Sequence, residues 1–112
     1  MEIKYVAKLK LLIVRMDGEI DDHIVRGIRD EIDTSLVRNG AKNIAFDFSG
    51  VNFMDSSGIG IIIGRYRKVN ALGGQVILFG MNPDIKRLLE MANLKDIAII
   101  TDELEAAVEE VC

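Results

Sequence analysis

The sequence has little cysteine and no long apolar run, and each shortage excludes a class of protein. One cysteine, Cys112, excludes an intramolecular disulfide and a multi-cysteine metal site, and it is typical of a reducing compartment. The longest apolar runs, Leu11–Val14 and Ile59–Ile63, are too short to cross a bilayer. The first residues also lack the basic and then apolar order of a signal peptide. We therefore expect a cytoplasmic protein that makes no membrane contact.

An excess of basic residues is also missing. The 112 residues include 14 Lys and Arg against 18 Asp and Glu, which gives a net charge of -4. This balance argues against direct binding of nucleic acid, because phosphate contacts need clustered positive charge. Hydrophobic residues make up 49% of the chain, which excludes a disordered protein. The length predicts one domain over residues 1–112.

Short apolar segments alternate with amphipathic stretches along the chain. Strands are predicted at Ile3–Val6, Leu11–Met16, Asn43–Phe48, Gln75–Phe79 and Ile97–Ile100. The second strand is expected to end at Asp17-Gly18, and residues 49–55 are expected to be irregular. Helices are predicted from an Asp21 or Asp22 cap to Asn39-Gly40, from Ser57 to Gly73-Gly74, from Asn82-Pro83 onward, and after Thr101-Asp102. The order predicts an α/β domain with a mostly parallel mixed sheet, an antiparallel N-terminal edge strand and about four helices.

One segment does not look like scaffold, namely the run from Phe53 to Gly60 between a strand and a helix. In open α/β sheets, ligands and partners meet the protein at the carboxyl ends of strands. Asp55 or Ser56 can cap the helix, and the following backbone N–H groups are expected to point outward. Gly58 and Gly60 would let another surface approach the backbone closely.

A serine hydroxyl at this helix start is a good place to carry a phosphate. The helix dipole and the free N–H groups stabilise the added dianion, so the protein need not unfold. Asp-Ser-Ser-Gly is also a common helix-capping sequence, and spacing alone leaves both interpretations open.

Other chemistry is weakly supported. A serine nucleophile would need a base, and His23 is the only histidine. The glycines match neither a Walker loop nor a dinucleotide fingerprint, and no cofactor is expected. The acidic residues Asp17, Glu19, Asp21 and Asp22 are expected to form a turn and a cap rather than a metal site. The basic residues Arg65, Arg67 and Lys68 are expected on a solvated helix face, with contact to an acidic partner as the minority interpretation.

Three motifs together resemble a known family: Gly18-Glu19-Ile20-Asp21, the run from Phe53 to Gly60, and Gly64-Arg65-Tyr66. The sequence is similar over essentially its whole length to the STAS-domain anti-sigma factor antagonists, and most similar to their sporulation type. The resemblance implies a single STAS domain that is not an enzyme. One departure is Asp22-His23, where the type pattern has two histidines, which puts contact details around Asp22 in question.

The resemblance also implies a mechanism. The unphosphorylated protein would bind an anti-sigma factor, itself a nucleotide-loaded serine kinase, and thereby release the sigma factor. The kinase would phosphorylate Ser56 and end the contact, and a serine phosphatase would restore it. The residues implied at the partner surface are Asp21, Asp55, Ser56, Ser57, Gly58, Ile59 and Gly60.

Two alternatives stay open from the sequence. The same fold can serve a partner-switching module of another stress-response cascade. It can also serve as a small-ligand or nucleotide-binding regulatory domain.

Overall fold

A computed structural model describes residues 1–111, apart from the side chains of Ala107, Glu110 and Val111. Cys112 lies outside the described residues. The strands are β1 (Glu2–Val6), β2 (Leu11–Ile20), β3 (Asn43–Met54), β4 (Val76–Phe79) and β5 (Ile99–Thr101). The helices are α1 (Val25–Asn39), α2 (Ser56–Ala71), α3 (Pro83–Met91) and α4 (Leu104–Val111). Single 3-10 turns lie at Ala7–Leu9 and Leu94–Asp96.

The five strands form one sheet in the order β1-β2-β3-β4-β5. β1 runs antiparallel to β2, with Ile3 opposite Val14, and the other neighbouring pairs are parallel. Each parallel pair is joined through a helix, as parallel pairing requires. The predicted α/β fold with an antiparallel edge strand and four helices is confirmed.

The strands bury apolar residues on both faces of the sheet. On one face, Leu12, Phe46 and Leu78 pack with the apolar sides of α1, α2 and α3. On the other face, Ala45 and Ile77 belong to a smaller cluster that α4 covers. Burial on both faces explains why β4 is a continuous apolar run. Among the described residues, no helix is long and apolar enough to cross a membrane.

Two strands run further than the sequence predicted. β2 continues through Asp17-Gly18 to Ile20, and β3 continues to Met54 through the stretch expected to be irregular. The pairing of β2 with β3 shifts register twice on the way, after Arg15 and after Gly18. Gly18 has a positive φ of 75°, so it supports an irregularity within the strand rather than ending it. The prediction of strand ends at these positions was wrong.

The helix caps agree with the sequence in part. α3 begins at the predicted Asn82-Pro83 position, and Asn82 caps it by accepting a hydrogen bond from the Ile85 N–H at 2.9 Å. The predicted cap of α1 was wrong: the helix begins at Val25, and the N-cap residue Ile24 makes no side-chain cap bond. Asp21 instead accepts a hydrogen bond from the His23 N–H at 3.0 Å, within the turn that precedes the helix.

The C-terminal elements are shifted by a few residues. β5 spans Ile99–Thr101, because Ile97 still closes the preceding 3-10 turn with a hydrogen bond to the Leu94 carbonyl at 3.1 Å. Thr101 therefore belongs to the strand rather than to a helix cap. Leu104 and Val108 pack on the sheet.

Candidate partner-binding site

The site lies where β2 and β3 end side by side. Ile20 is paired with Met54, and the Asp55 N–H donates a hydrogen bond to the Ile20 carbonyl at 3.2 Å. Asp21 and Asp55 therefore follow directly after neighbouring strand ends, and Ser56 comes next, at the carboxyl edge of the sheet. This is the edge at which open α/β sheets bind partners and ligands.

Asp55 is the residue that caps α2. Its Oδ1 accepts a hydrogen bond from the Ser57 N–H at 2.8 Å, and its carbonyl accepts one from the Gly58 N–H at 3.1 Å. Of the two candidate caps, the structure thus selects Asp55. Two of the N–H groups that were expected to point outward are consequently satisfied within the protein.

Ser56 is the first residue of α2 and is exposed. Because Asp55 supplies the capping oxygen, the Ser56 hydroxyl is not the cap of the helix. The hydroxyl is open to solvent at the end of a helix where the macrodipole favours negative charge.

The two glycines of the motif have different surroundings. Gly58 is buried, and a Cβ at this position would overlap the Met54 side chain and lie 3.4 Å from Ile20 Cγ2. Its missing side chain therefore lets α2 pack closely on the ends of β2 and β3. Gly60 is exposed, and a Cβ there would meet nothing within 4 Å. Close approach from outside is thus possible at Gly60, whereas the close contact at Gly58 is internal.

The other predicted surface residues are partly buried. Asp21, Asp55 and Ser57 are intermediate in exposure, and Ile59 packs against the main core while keeping part of its surface open. The structure brings Asp21 to the same edge as Asp55 and Ser57, as the resemblance implied.

Two exposed apolar residues at this edge were missed. Phe53, next to the end of β3, is 50% exposed, and Ile24, just before α1, is 40% exposed. No sequence signal marked Phe53, because residues 49–55 were expected to be irregular and because Asn52 and Phe53 are both exposed in β3 rather than alternating. Exposed large apolar side chains at one edge of a domain are typical of surfaces that contact other proteins.

His23 is turned towards acidic neighbours. Its Nδ1 lies 3.3 Å from Asp22 Oδ1 and 3.6 Å from Asp21 Oδ1. These three residues each offer a ligand atom within 4.8 Å of the others, but Asp22 and His23 are exposed, and exposed acidic groups often gather without a metal. The expectation that they form a turn fits the Asp21 hydrogen bond, and the expectation of no metal stays a prediction.

One basic residue of α2 is not solvated, contrary to the prediction. The Arg65 side chain is 6% exposed, and its Nε lies 2.9 Å from Asp33 Oδ1 on α1. Burial lowers the pKa of the Arg65 guanidinium from its usual value, the Asp33 charge raises it, and the nearby Arg29 charge lowers it. Lys68, which is exposed as predicted, lies 3.7 Å from the other Asp33 oxygen.

Comparison with known proteins agrees with this geometry. The family model of the STAS domain matches residues 2–110. The anti-sigma F factor antagonist of Paenibacillus polymyxa is 38% identical over 88% of this chain and 86% of its own length.

Two solved structures share the fold over nearly the whole chain. SpoIIAA, an anti-sigma factor antagonist solved in its unphosphorylated form, is 29% identical, with a TM-score of 0.76 over 98% of this chain and 96% of its own. The phosphorylated form of the Bacillus cell fate determinant SpoIIAA is also 29% identical, with a TM-score of 0.75 over 99% and 98% of the two chains.

The nearly equal scores indicate that the same fold accommodates both forms of that protein. The resemblance found in the sequence is confirmed. The chain belongs to the STAS domain family.

Proposed function

We propose that this protein is an anti-sigma factor antagonist switched by phosphorylation of Ser56. In its unphosphorylated form it binds an anti-sigma factor that is a nucleotide-loaded serine kinase, and the sigma factor is released. Phosphorylation of Ser56 ends the contact, and a serine phosphatase restores it. The anti-sigma factor antagonists among its relatives and structural neighbours support the general function.

The Ser56 assignment rests on one observation, namely that Asp55 and Ser56 have different roles at the start of α2. Asp55 makes the capping hydrogen bond, and Ser56 is exposed at the first helical position. The side-chain oxygen of a residue that served only as a cap would accept a hydrogen bond from a backbone N–H group. The Ser56 hydroxyl is therefore available to an incoming phosphoryl group without loss of the helix cap.

The surroundings of Ser56 favour a protein as the binding partner. The edge combines exposed apolar surface at Phe53 and Ile24 with the polar side chains of Asp21 and Asp55. Protein interfaces characteristically place apolar anchors among polar groups. A hydroxyl within such a contact area is close enough to a bound kinase to react with its nucleotide.

Release follows from the charge that the reaction adds. The Ser56 oxygen attacks the γ-phosphorus of ATP, the bond to the bridging oxygen breaks, and the hydroxyl proton passes to a base on the kinase. The product carries about 1.5 to 2 negative charges and is strongly hydrated. It faces the phosphates that remain on the nucleotide and stands beside Asp55, so the complex loses affinity by repulsion and desolvation. A cost of about 3 kcal/mol lowers the affinity about 100-fold.

Purified protein, the anti-sigma factor from the same genome and ATP test the proposal. We expect one phosphate by intact mass and a phosphopeptide that contains modified Ser56. Ser56→Ala should bind the nucleotide-loaded kinase normally and accept no phosphate, whereas the matched control Ser57→Ala should still be phosphorylated. Ser56→Asp should bind about 100-fold more weakly. A phosphate on another residue, or full affinity of Ser56→Asp, contradicts the proposal.

A further inference from the structure

A second surface feature lies on the side of α2 that faces α1. A groove of about 380 Å³ runs between the two helices and begins beside Ser57. Its lining residues are Val25, Arg29, Ser57, Gly60, Ile61, Gly64 and Arg65. The groove therefore starts one residue away from the proposed phosphorylation site and extends about two helical turns along α2.

Arg65 is the residue in the groove with unused hydrogen-bonding capacity. Its side chain is 94% buried, since 6% is exposed, and among the described residues its Nη1 has no hydrogen-bond partner. Arg65 Nε lies 2.9 Å from Asp33 Oδ1, but the two groups lack hydrogen-bond geometry, so among the described residues these two atoms also have no hydrogen-bond partner. A guanidinium has five N–H donors, and buried donors are almost always satisfied in a finished assembly. An acceptor on a bound partner would satisfy donors that the described residues leave free.

The floor of the groove is unusually open. Gly60 and Gly64 lie four residues apart on one face of α2, and a Cβ at either position would meet nothing within 4 Å. Glycine is among the poorest helix formers, so helix stability does not favour it at these positions. Two such glycines let a partner chain lie against the helix backbone.

Two cations line the groove, and each has a carboxylate close by that is not part of the lining: Asp30 Oδ1 lies 3.7 Å from Arg29 Nε, and Asp33 Oδ1 lies 2.9 Å from Arg65 Nε. Among the described residues that line it there are two cations, Arg29 and Arg65, and no carboxylate. Arg29 is 49% exposed at its side chain and can therefore meet a partner in solution. The contact between Arg29 and Asp30 is long and exposed, so Arg29 remains able to pair with another carboxylate. Two arginines beside each other fit a carboxylate, which accepts paired N–H bonds.

We infer that this groove receives an aspartate or glutamate side chain of the anti-sigma factor, whose backbone lies over Gly60 and Gly64. The inference rests on the proposed function and adds a second contact area on the α1 side of α2. The carboxylate would bind Arg29 at the mouth and reach donors of Arg65 that Asp33 leaves free. This contact would anchor the partner beside Ser56.

A charge reversal tests the carboxylate. We expect Arg29→Glu to weaken binding of the anti-sigma factor by about tenfold or more, measured by calorimetry with the nucleotide-loaded protein. Arg26→Glu is the matched control, because Arg26 is an exposed arginine of α1 that does not line the groove. A partner with its acidic contact residue changed to Arg should bind Arg29→Glu more tightly than it binds the wild type or Arg26→Glu.

A variant with a larger side chain tests whether the partner backbone lies over Gly60 and Gly64. Gly64→Leu fills the groove and improves helix propensity, so the variant should unfold at the same or a higher temperature yet bind about tenfold more weakly. Gly27→Leu is the control, since Gly27 is an exposed helical glycine with open space around it and lies outside the groove. It should bind like the wild type.

The outcomes separate the two proposals. If wild-type protein binds the anti-sigma factor and Ser56→Asp does not, but Arg29→Glu and Gly64→Leu bind normally, the groove inference is overturned and the proposed function stands. If the wild-type protein does not bind the anti-sigma factor, the proposed function fails first. Weaker binding of both groove variants, with both controls intact and charge-swap rescue, supports the inference.

Discussion

Arg65 of α2 lies with its Nε 2.9 Å from Asp33 Oδ1 of α1, and this ion pair joins the two helices beneath their surface. The Arg65 side chain is 6% exposed and the Asp33 side chain 26% exposed. A buried guanidinium without its carboxylate is strongly destabilising, whereas replacement of both partners by apolar groups is often neutral. The pair therefore makes α1 and α2 depend on each other.

We predict that Asp33→Ala lowers the free energy of unfolding by about 2 kcal/mol, a value reduced because Asp33 is partly exposed. Urea denaturation followed by circular dichroism measures the change. Asp30→Ala is the control, because the exposed Asp30 only approaches Arg29 at 3.7 Å, and it should cost less than about 0.5 kcal/mol. The double variant Asp33→Ala/Arg65→Met should recover most of the loss. An Asp33→Ala protein as stable as the Asp30→Ala protein would show that the pair contributes little.

Gly58 and Gly60 should respond oppositely to the same change. Gly58→Ala places a methyl group into the Met54 side chain, and overpacking should cost about 1–3 kcal/mol despite the better helix propensity. Gly60→Ala adds the same group in open space and should stabilise the protein by up to about 1 kcal/mol. Thermal and urea unfolding of the two variants give the comparison. Equal stabilisation by both substitutions would mean that Met54 moves aside freely.

The sequence predicted the element order and singled out a candidate site because both depend on local signals. Apolar periodicity located the core strands and helices, and Asp55 to Gly60 stood out as a helix start rich in capping and small residues. The outer halves of β2 and β3 were not predicted, because their structure depends on pairing with each other through a shifted register. The residues of one strand do not indicate which strand pairs with it or in which register.

The burial of Arg65 could not be predicted for a similar reason. In the sequence, Arg65, Arg67 and Lys68 form one basic cluster, which is typical of a solvated face. Only the packing of α1 on α2 brings Asp33 to Arg65 and distinguishes this residue from its exposed neighbours. The same packing buries the Arg65 N–H donors that have no partner among the described residues.

Asp55 should act on stability through its oxygen rather than its charge. Its Oδ1 accepts the Ser57 N–H at 2.8 Å, so Asp55→Ala should lower the free energy of unfolding by about 1 kcal/mol. Asp55→Asn keeps an accepting oxygen at an equally good cap residue and should stay within a few tenths of a kcal/mol of the wild type. Urea titrations of the three proteins test this. If Asn destabilises as much as Ala, the negative charge rather than the hydrogen bond is the stabilising feature.

Phosphorylation of Ser56 should leave the free protein folded and about as stable as before. The dianion sits at the first residue of α2, where the helix dipole stabilises negative charge by about 0.3–1 kcal/mol, and repulsion from Asp55 offsets part of that gain. We expect phosphorylated and unphosphorylated protein to differ by less than about 1 kcal/mol in urea denaturation. Asn70→Asp, in the exposed last turn of the same helix, is the control. It should destabilise the protein, because the C-terminal end of the helix dipole is negative and repels an added negative charge. A phosphorylated protein that unfolds much more easily would mean that the switch acts by loosening the fold instead of altering the contact surface.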